Sequence, residues 1–127
     1  MLGVKQDRDM PSSIHFICRH EGGRYKNLDR VEGQTYRSHA WAVPASVAAS
    51  LVGGWIYLHE TKAEGSGFGG VIKRVEPVGV ENGLERYAVF FEGRREGRGQ
   101  PWRGSSYSMA WTSGPVDLSF SHESVGA

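Results

Sequence analysis

Trp41–Val78, WAVPASVAASLVGGWIYLHETKAEGSGFGGVIKRVEPV, decides the fold of this chain. Val43-Pro44 opens a short helix, because proline is tolerated in a first turn, where its missing N–H would have had no partner. Pro44, Val47, Ala48 and Leu51 follow at i, i+3, i+4 and i+7, a narrow apolar face. Gly53 ends the helix as a left-handed C-cap. A helix of two to three turns is marginal by itself and must be held by packing. Trp55 to His59 then alternates as a strand, with Ile56 and Leu58 on one face and Trp55, Tyr57 and His59 on the other. KAEGSGFGG is a glycine loop around Phe68, and Gly70 to Val75 returns as a second strand ended by Pro77. Helix, Gly-Gly, apolar strand, glycine return and second strand is the order in which a small mixed barrel builds a ligand-facing pocket.

Working outward, residues 1–12 are polar and read as a flexible N-terminus. Ile14 to Arg19 is a short β run with Ile14, Phe16 and Cys18 on one face. HEGGRYKNLDRVEGQT (residues 20–35) reads as a loop turning at Gly22-Gly23. Tyr36 to Ala42 continues it as a polar stretch dense in recognition side chains. Downstream, VGVENGLE is a hairpin connection with Asn82-Gly83 at its tip. RYAVFFE, ending at Glu92, is apolar on both faces in its middle and reads as a central strand. An arginine loop, GRREGRGQPWRG, follows it. Ser108 to Trp111 reads as one more strand or edge, and Val116 to Phe120 alternates like another. Residues 13–120 form one domain, and residues 121–127 a flexible tail.

Composition narrows the function classes. At 127 residues with 39% apolar content the chain suits one modest core, and 18 glycines call for many turns. A net charge of +1 gives no bulk pull toward nucleic acid, so any such binding rests on a local patch. The single cysteine, Cys18, lies in the apolar run IHFIC and reads as a buried structural thiol in a reducing compartment. The N-terminal residues lack the apolar core of a signal peptide, and no stretch approaches the roughly 18 apolar residues of a membrane span. The expectation is a cytoplasmic protein without a membrane partner.

Few motifs carry chemistry. Gly65-Ser66-Gly67-Phe68-Gly69-Gly70 is not a phosphate cradle, because Val71-Ile72 leads into a strand rather than a Lys-Ser/Thr and a helix. It reads as a tight return whose Phe68 either stacks on a ligand or folds onto the core. Five histidines (His15, His20, His39, His59, His122) show no metal-ligand spacing, so no metal and no cofactor are expected. No nucleophile elbow is present. Glu21, Asp29, Glu32, Glu60 and Glu64 stand on loops where sequence cannot pair them, so no catalytic residue is assigned. The arginine cluster Arg94, Arg95, Arg98 and Arg103, with Trp102 beside it, is the best candidate for phosphate contact, since arginine donates in pairs to phosphate oxygens and tryptophan offers a stacking face. Lys62, Lys73 and Arg74 extend it if the strands lie side by side. Trp41 is the strongest pocket aromatic, placed beside Ser38 and His39 where a polar loop meets a helix.

Taken together, YRSHAW, PASVAASL, GGWIYLHET and GFGGVIKRVEP resemble the PUA-like superfamily, most closely its EVE-type domains, over about residues 13–104. Gly53 to His59 stands where that family has its strand after the helix, with Gly-Gly in place of the family's frequent Gly-Asp. Phe68 to Ile72 resembles the return strand, and RYAVFFEGR the later one. The resemblance implies an α+β pseudobarrel, small and strongly bent, with one or two short helices. It also implies a cleft that receives a base, often modified, extruded from DNA or RNA. Carried over by position, Tyr36, Ser38, His39 and Trp41 would line the cleft, with His59 and Glu60 opposite, Phe68 in the glycine loop, and the arginine loop on the phosphates. A small-molecule or protein-binding adaptor on the same barrel is the alternative reading. A small hydrolase or transferase using Glu60 with His39 or His59 stands third.

Overall fold

A computed structural model describes residues 12–22, 24–103 and 112–117 of the chain. Nine strands, one helix and a 3-10 turn follow in order: β1 (Ser12–Ile17), β2 (His20–Glu21), β3 (Arg24–Tyr25), β4 (Leu28–Glu32), β5 (Thr35–Ala42), α1 (Ala45–Ser50), β6 (Trp55–His59), β7 (Phe68–Glu81), β8 (Leu84–Gly93), the 3-10 turn (Arg95–Gly97) and β9 (Thr112–Asp117). Seven of the strands form a single mixed sheet in the order β4-β5-β8-β7-β6-β1-β9, and β2 pairs with β3 alone. Ser108 to Trp111, residues 118–120 of the Val116 to Phe120 run and the tail at 121–127 lie outside the described residues, as do residues 1–11 of the 1–12 segment, whose Ser12 opens β1; Val116 and Asp117 belong to β9.

The expected closed α+β barrel is not what forms. The sheet is open, because its edge strands β4 and β9 do not pair with each other. β4 comes from the segment read as a loop. Its weakly apolar LDRVE gives little alternation, and its side chains are mostly exposed, so pairing to β5 rather than a buried face makes it a strand. Among the described residues the helical share is one six-residue helix and a 3-10 turn, so the class is sheet-rich.

The strand after the helix forms at Trp55–His59 as its alternation suggests, and it is buried on both faces. It runs parallel to β1, pairing Ile14 with Ile56 and Phe16 with Leu58. β8 is central, between β5 and β7. Asn82 and Gly83 both take positive φ (54° and 78°) between the paired Glu81 and Leu84, the two-residue hairpin turn that matches strand twist. Pro77 does not end β7, which continues to Glu81. Register shifts flank Lys73 and Val78, and proline is tolerated in a strand beside such a bulge. Beyond Ile72, whose N–H and C=O bond to Gly54 and Gly53, the outer side of β7 pairs with no described strand.

Two layers pack against the sheet. Ile14, Phe16, Cys18, Val43, Ala48, Leu51, Ile56, Leu58, Ile72, Tyr87, Val89 and Phe91 make the main core. The other side of β1 and β6 carries Ser13, His15, Trp55, Tyr57 and His59, all buried. The arginine loop is fastened to the sheet by backbone contact: Arg94 N–H bonds to Gly69 O at 3.0 Å, and Gly97 lies directly on Gly69. A Cβ at Gly97 would fall well inside the van der Waals contact distance of the Gly69 carbonyl group. Gly97→Ala should therefore lower stability by about 1–3 kcal/mol, the usual cost of overpacking, read as a lower urea midpoint at unchanged m. An unchanged midpoint would show that the 3-10 turn can lift off β7 freely.

Candidate functional site

The open seam of the sheet holds the principal pocket. Three strands separate β5 from β1 in the sheet order, yet Trp41 of β5 stacks on Phe16 of β1 with ring centroids 4.0 Å apart and planes 10° from parallel. The sheet must curl for these rings to meet. Where it fails to close, a pocket of about 450 Å³ opens, within the ~300–1,000 Å³ typical of ligand sites. Phe16, Trp41, Cys18 and Leu84 give it apolar walls, while Arg19, Lys26, Arg86, Asn27 and His39 supply polar groups. Trp41 is fixed in orientation, since its indole Nε1–H donates to Ser38 Oγ at 2.9 Å. Ser38 is fully buried and serves as that anchor rather than as a lining residue.

A bulge aims Trp41 into the seam. Ser38 pairs with Val89 and Trp41 with Tyr87, so β5 carries one residue more than β8 in this interval. That extra residue restores Trp41 to the face that Tyr36 and Ser38 share, although an odd number of positions separates it from Tyr36. The turn before β4 is pinned at the same place, because His39 N–H donates to Asn27 O at 3.1 Å, with Asn27 in the left-handed region (φ 59°). His39 Nε2 lies 3.2 Å from Asp29 Oδ2, and Arg37 Nη1 lies 3.4 Å from the same oxygen, so Asp29 is neutralised at the rim.

Other expected residues lie elsewhere. Tyr36 and Phe68 meet edge to face, centroids 4.8 Å apart, at a second depression lined also by Arg24, Tyr25, Arg30 and Arg98. Glu60 is exposed and lines none of these depressions. Of the arginine cluster only Arg98 reaches a depression, its guanidinium 5.8 Å from the Phe68 ring. Arg94 is drawn to Glu92 (3.4 Å), Arg95 is exposed on the 3-10 turn, and Arg103 sits half-buried near His15. The cations that do line the seam and its neighbour, Arg19, Arg24, Lys26, Arg30 and Arg86, went unassigned. Arg24, Lys26 and Arg30 are scattered along a segment without periodicity, and only the fold of that segment across the sheet gathers them.

His59 is not a cleft residue either. It is fully buried beside His15, which neighbours Phe16 on β1 and so points to the opposite face. His59 Nδ1 lies 3.0 Å from the Glu64 carbonyl, which can only accept, so that nitrogen carries the proton. His59 Nε2 then accepts from His15 Nδ1–H at 2.7 Å, and His15 Nε2 is left as a buried acceptor without a partner. Tyr57 stacks on His15 at 4.6 Å and Trp102 covers it at 5.5 Å. Burial, then His59 and Arg103, hold the His15 pKa down to about 3, and burial lowers that of His59. Cys18, buried as expected, has its thiol pushed up to about 11 by desolvation, which leaves it a poor nucleophile at neutral pH. Among the described residues no group of three or more His, Cys, Asp or Glu is placed to hold a metal ion, and no helix is long and apolar enough to cross a membrane.

The chain matches no family model, no curated protein and no solved structure.

Because the folded pKa of His15 is below the ordinary value of 6.5, its contribution to stability is complete above pH 6.5 and is lost as pH falls toward 3. Stability should decline already between pH 6.5 and 5, above the carboxylate range, with a slope approaching about 1.4 kcal/mol per pH unit per buried histidine. His15→Phe should flatten that limb in urea titrations at stepped pH. A wild-type profile flat down to pH 5 would contradict the buried neutral pair.

Proposed function

We propose that this chain binds nucleic acid by seating an unstacked base against Trp41, with Arg19, Lys26 and Arg86, the last exchanging its Glu81 partner, on the flanking phosphates. The observation that carries this reading is the Phe16–Trp41 stack at the floor of a pocket rimmed by three cations. A base taken out of its stack needs an aromatic wall, a few hydrogen-bonding groups and nearby positive charge. Trp41 is the wall, already locked by Ser38, so little rotamer entropy is lost when a ring settles on it. Asn27 and His39 at the rim supply the groups by which one base, ordinary or modified, is distinguished from another. The EVE resemblance reaches the same function from sequence order; the proposal rests on the pocket.

Charge sets the expected strength. With three phosphate contacts and a net charge of +1, affinity comes from the local patch and should fall with salt at a log–log slope of about −2 on single strands. Fluorescence anisotropy with short single- and double-stranded DNA and RNA, with and without modified cytosine or adenine, tests this. Trp41→Ala should weaken binding by roughly 5- to 150-fold, the equivalent of about 1–3 kcal/mol of base stacking, with circular dichroism confirming the fold. Arg94→Ala and Arg95→Ala, off the pocket, should change little. Equal loss from Arg94→Ala and Trp41→Ala, or binding to no probe at low salt, would overturn the proposal.

A further inference from the structure

The seam pocket does not end at its own rim. It shares Lys26, Asn27 and His39 with a shallower depression of about 320 Å³ over the Glu21–Asp29 segment. That depression shares Arg24, Tyr25 and Leu28 with the third, about 460 Å³, in which Tyr36 and Phe68 lie. The three form one trough across the β3–β4 segment. Aromatic rings stand at both ends, Trp41 on Phe16 at one and Tyr25, Tyr36 and Phe68 at the other. Cations lie toward each end, Arg19, Lys26 and Arg86 at the seam and Arg24, Arg30 and Arg98 beyond it, with Lys26 and Arg24 also bordering the middle.

We propose that the trough is a two-station site for one continuous single strand of nucleic acid, with a base at Trp41 and a second base at the Tyr36–Phe68 end. The proposal rests on the base-binding reading above and extends it from a pocket to a path. Alternation of stacking faces and cations along a groove is how single strands are held without regard to sequence. Tyr36 and Trp41 pair with Phe91 and Tyr87, four residues apart on β8 and so about 13 Å at ~3.3 Å per residue, and the bulge sets both on the same face. At ~3.4 Å per stacked nucleotide that distance is roughly four nucleotide steps, and fewer where the strand is stretched. The middle of the trough carries Glu21 and Asp29, and Asp29 is held by Arg37 and His39. Phosphates therefore belong at the two ends, and the centre suits donors on bases and sugars. The Tyr25 hydroxyl lies over Gly67, so a side chain at that position would have to displace it.

The test is affinity against length at fixed low salt, using labelled homo-oligonucleotides of one to eight residues and a hairpin duplex of matched sequence. Affinity should rise at least tenfold between the dimer and about the pentamer and then level off, with the duplex binding more weakly than the single strand. Arg24→Gln with Arg98→Gln, both exposed, should abolish that rise while mono- and dinucleotides still bind at the seam. Affinity independent of length, or a duplex bound as tightly as the single strand, would overturn the two-station path and leave the base pocket standing. Binding to no oligonucleotide of any length would overturn both.

Discussion

Everything distinctive about this molecule depends on one ring stacked on another across a gap in the sheet. Phe16 and Trp41 belong to strands that never pair, and their contact is what draws the two ends of an open sheet toward each other. A buried aromatic pair contributes about 0.5–1.5 kcal/mol beyond its area, modest on its own. Its effect is geometric: it holds the curl at the point where main-chain pairing stops. Had β1 and β5 met directly, their hydrogen bonds would have sealed the seam and left no pocket. β4 and β9 stand at the outer sides of those two strands and do not pair with each other, so the gap stays open.

The parts of the fold that were legible from sequence are those in which local chemistry agrees with the tertiary arrangement. The alternation of Trp55–His59, the doubly apolar RYAVFFE and the Asn82-Gly83 turn each specify their own conformation, and each forms. Residues 20–35 do not. Leu28 to Glu32 becomes a strand only because β5 offers it hydrogen bonds, and nothing in LDRVE announces that partner. Tyr36 to Ala42, dense in polar recognition groups, likewise looked like a loop. It is a strand whose polar residues are absorbed by a buried hydroxyl, an ion pair and a bulge. Closure was the remaining error, because an open edge and a closed barrel share the same strand patterns and differ only in long-range pairing.

The site was legible in the same uneven way. Trp41 and His39 line the seam pocket, and Arg98 and Phe68 share a depression. Ser38 and His59, read as cleft groups, are instead satisfied inside the protein. Sequence proximity misled most over the arginines. Arg94, Arg95, Arg98 and Arg103 are close along the chain, but a 3-10 turn held down by Gly97 on Gly69 sends them in different directions. The cations that line the trough are far apart in sequence and are assembled by topology.

The long β7–β8 hairpin raises a separate matter. From Lys73 to Glu81 its outer side pairs with no strand among the described residues, and Val78, Val80 and Leu84 stand exposed beside it. Such an edge invites sheet-to-sheet growth between molecules. Pro77 removes one donor from that edge, and irregularities at Lys73 and Val78 break the repeat that an incoming strand would have to match. Glu76 and Glu81, each engaged by an arginine, add charge along it. The hairpin can thus project from the sheet and keep apolar residues in water without seeding fibrils, a protection written into backbone irregularity rather than into the side chains alone.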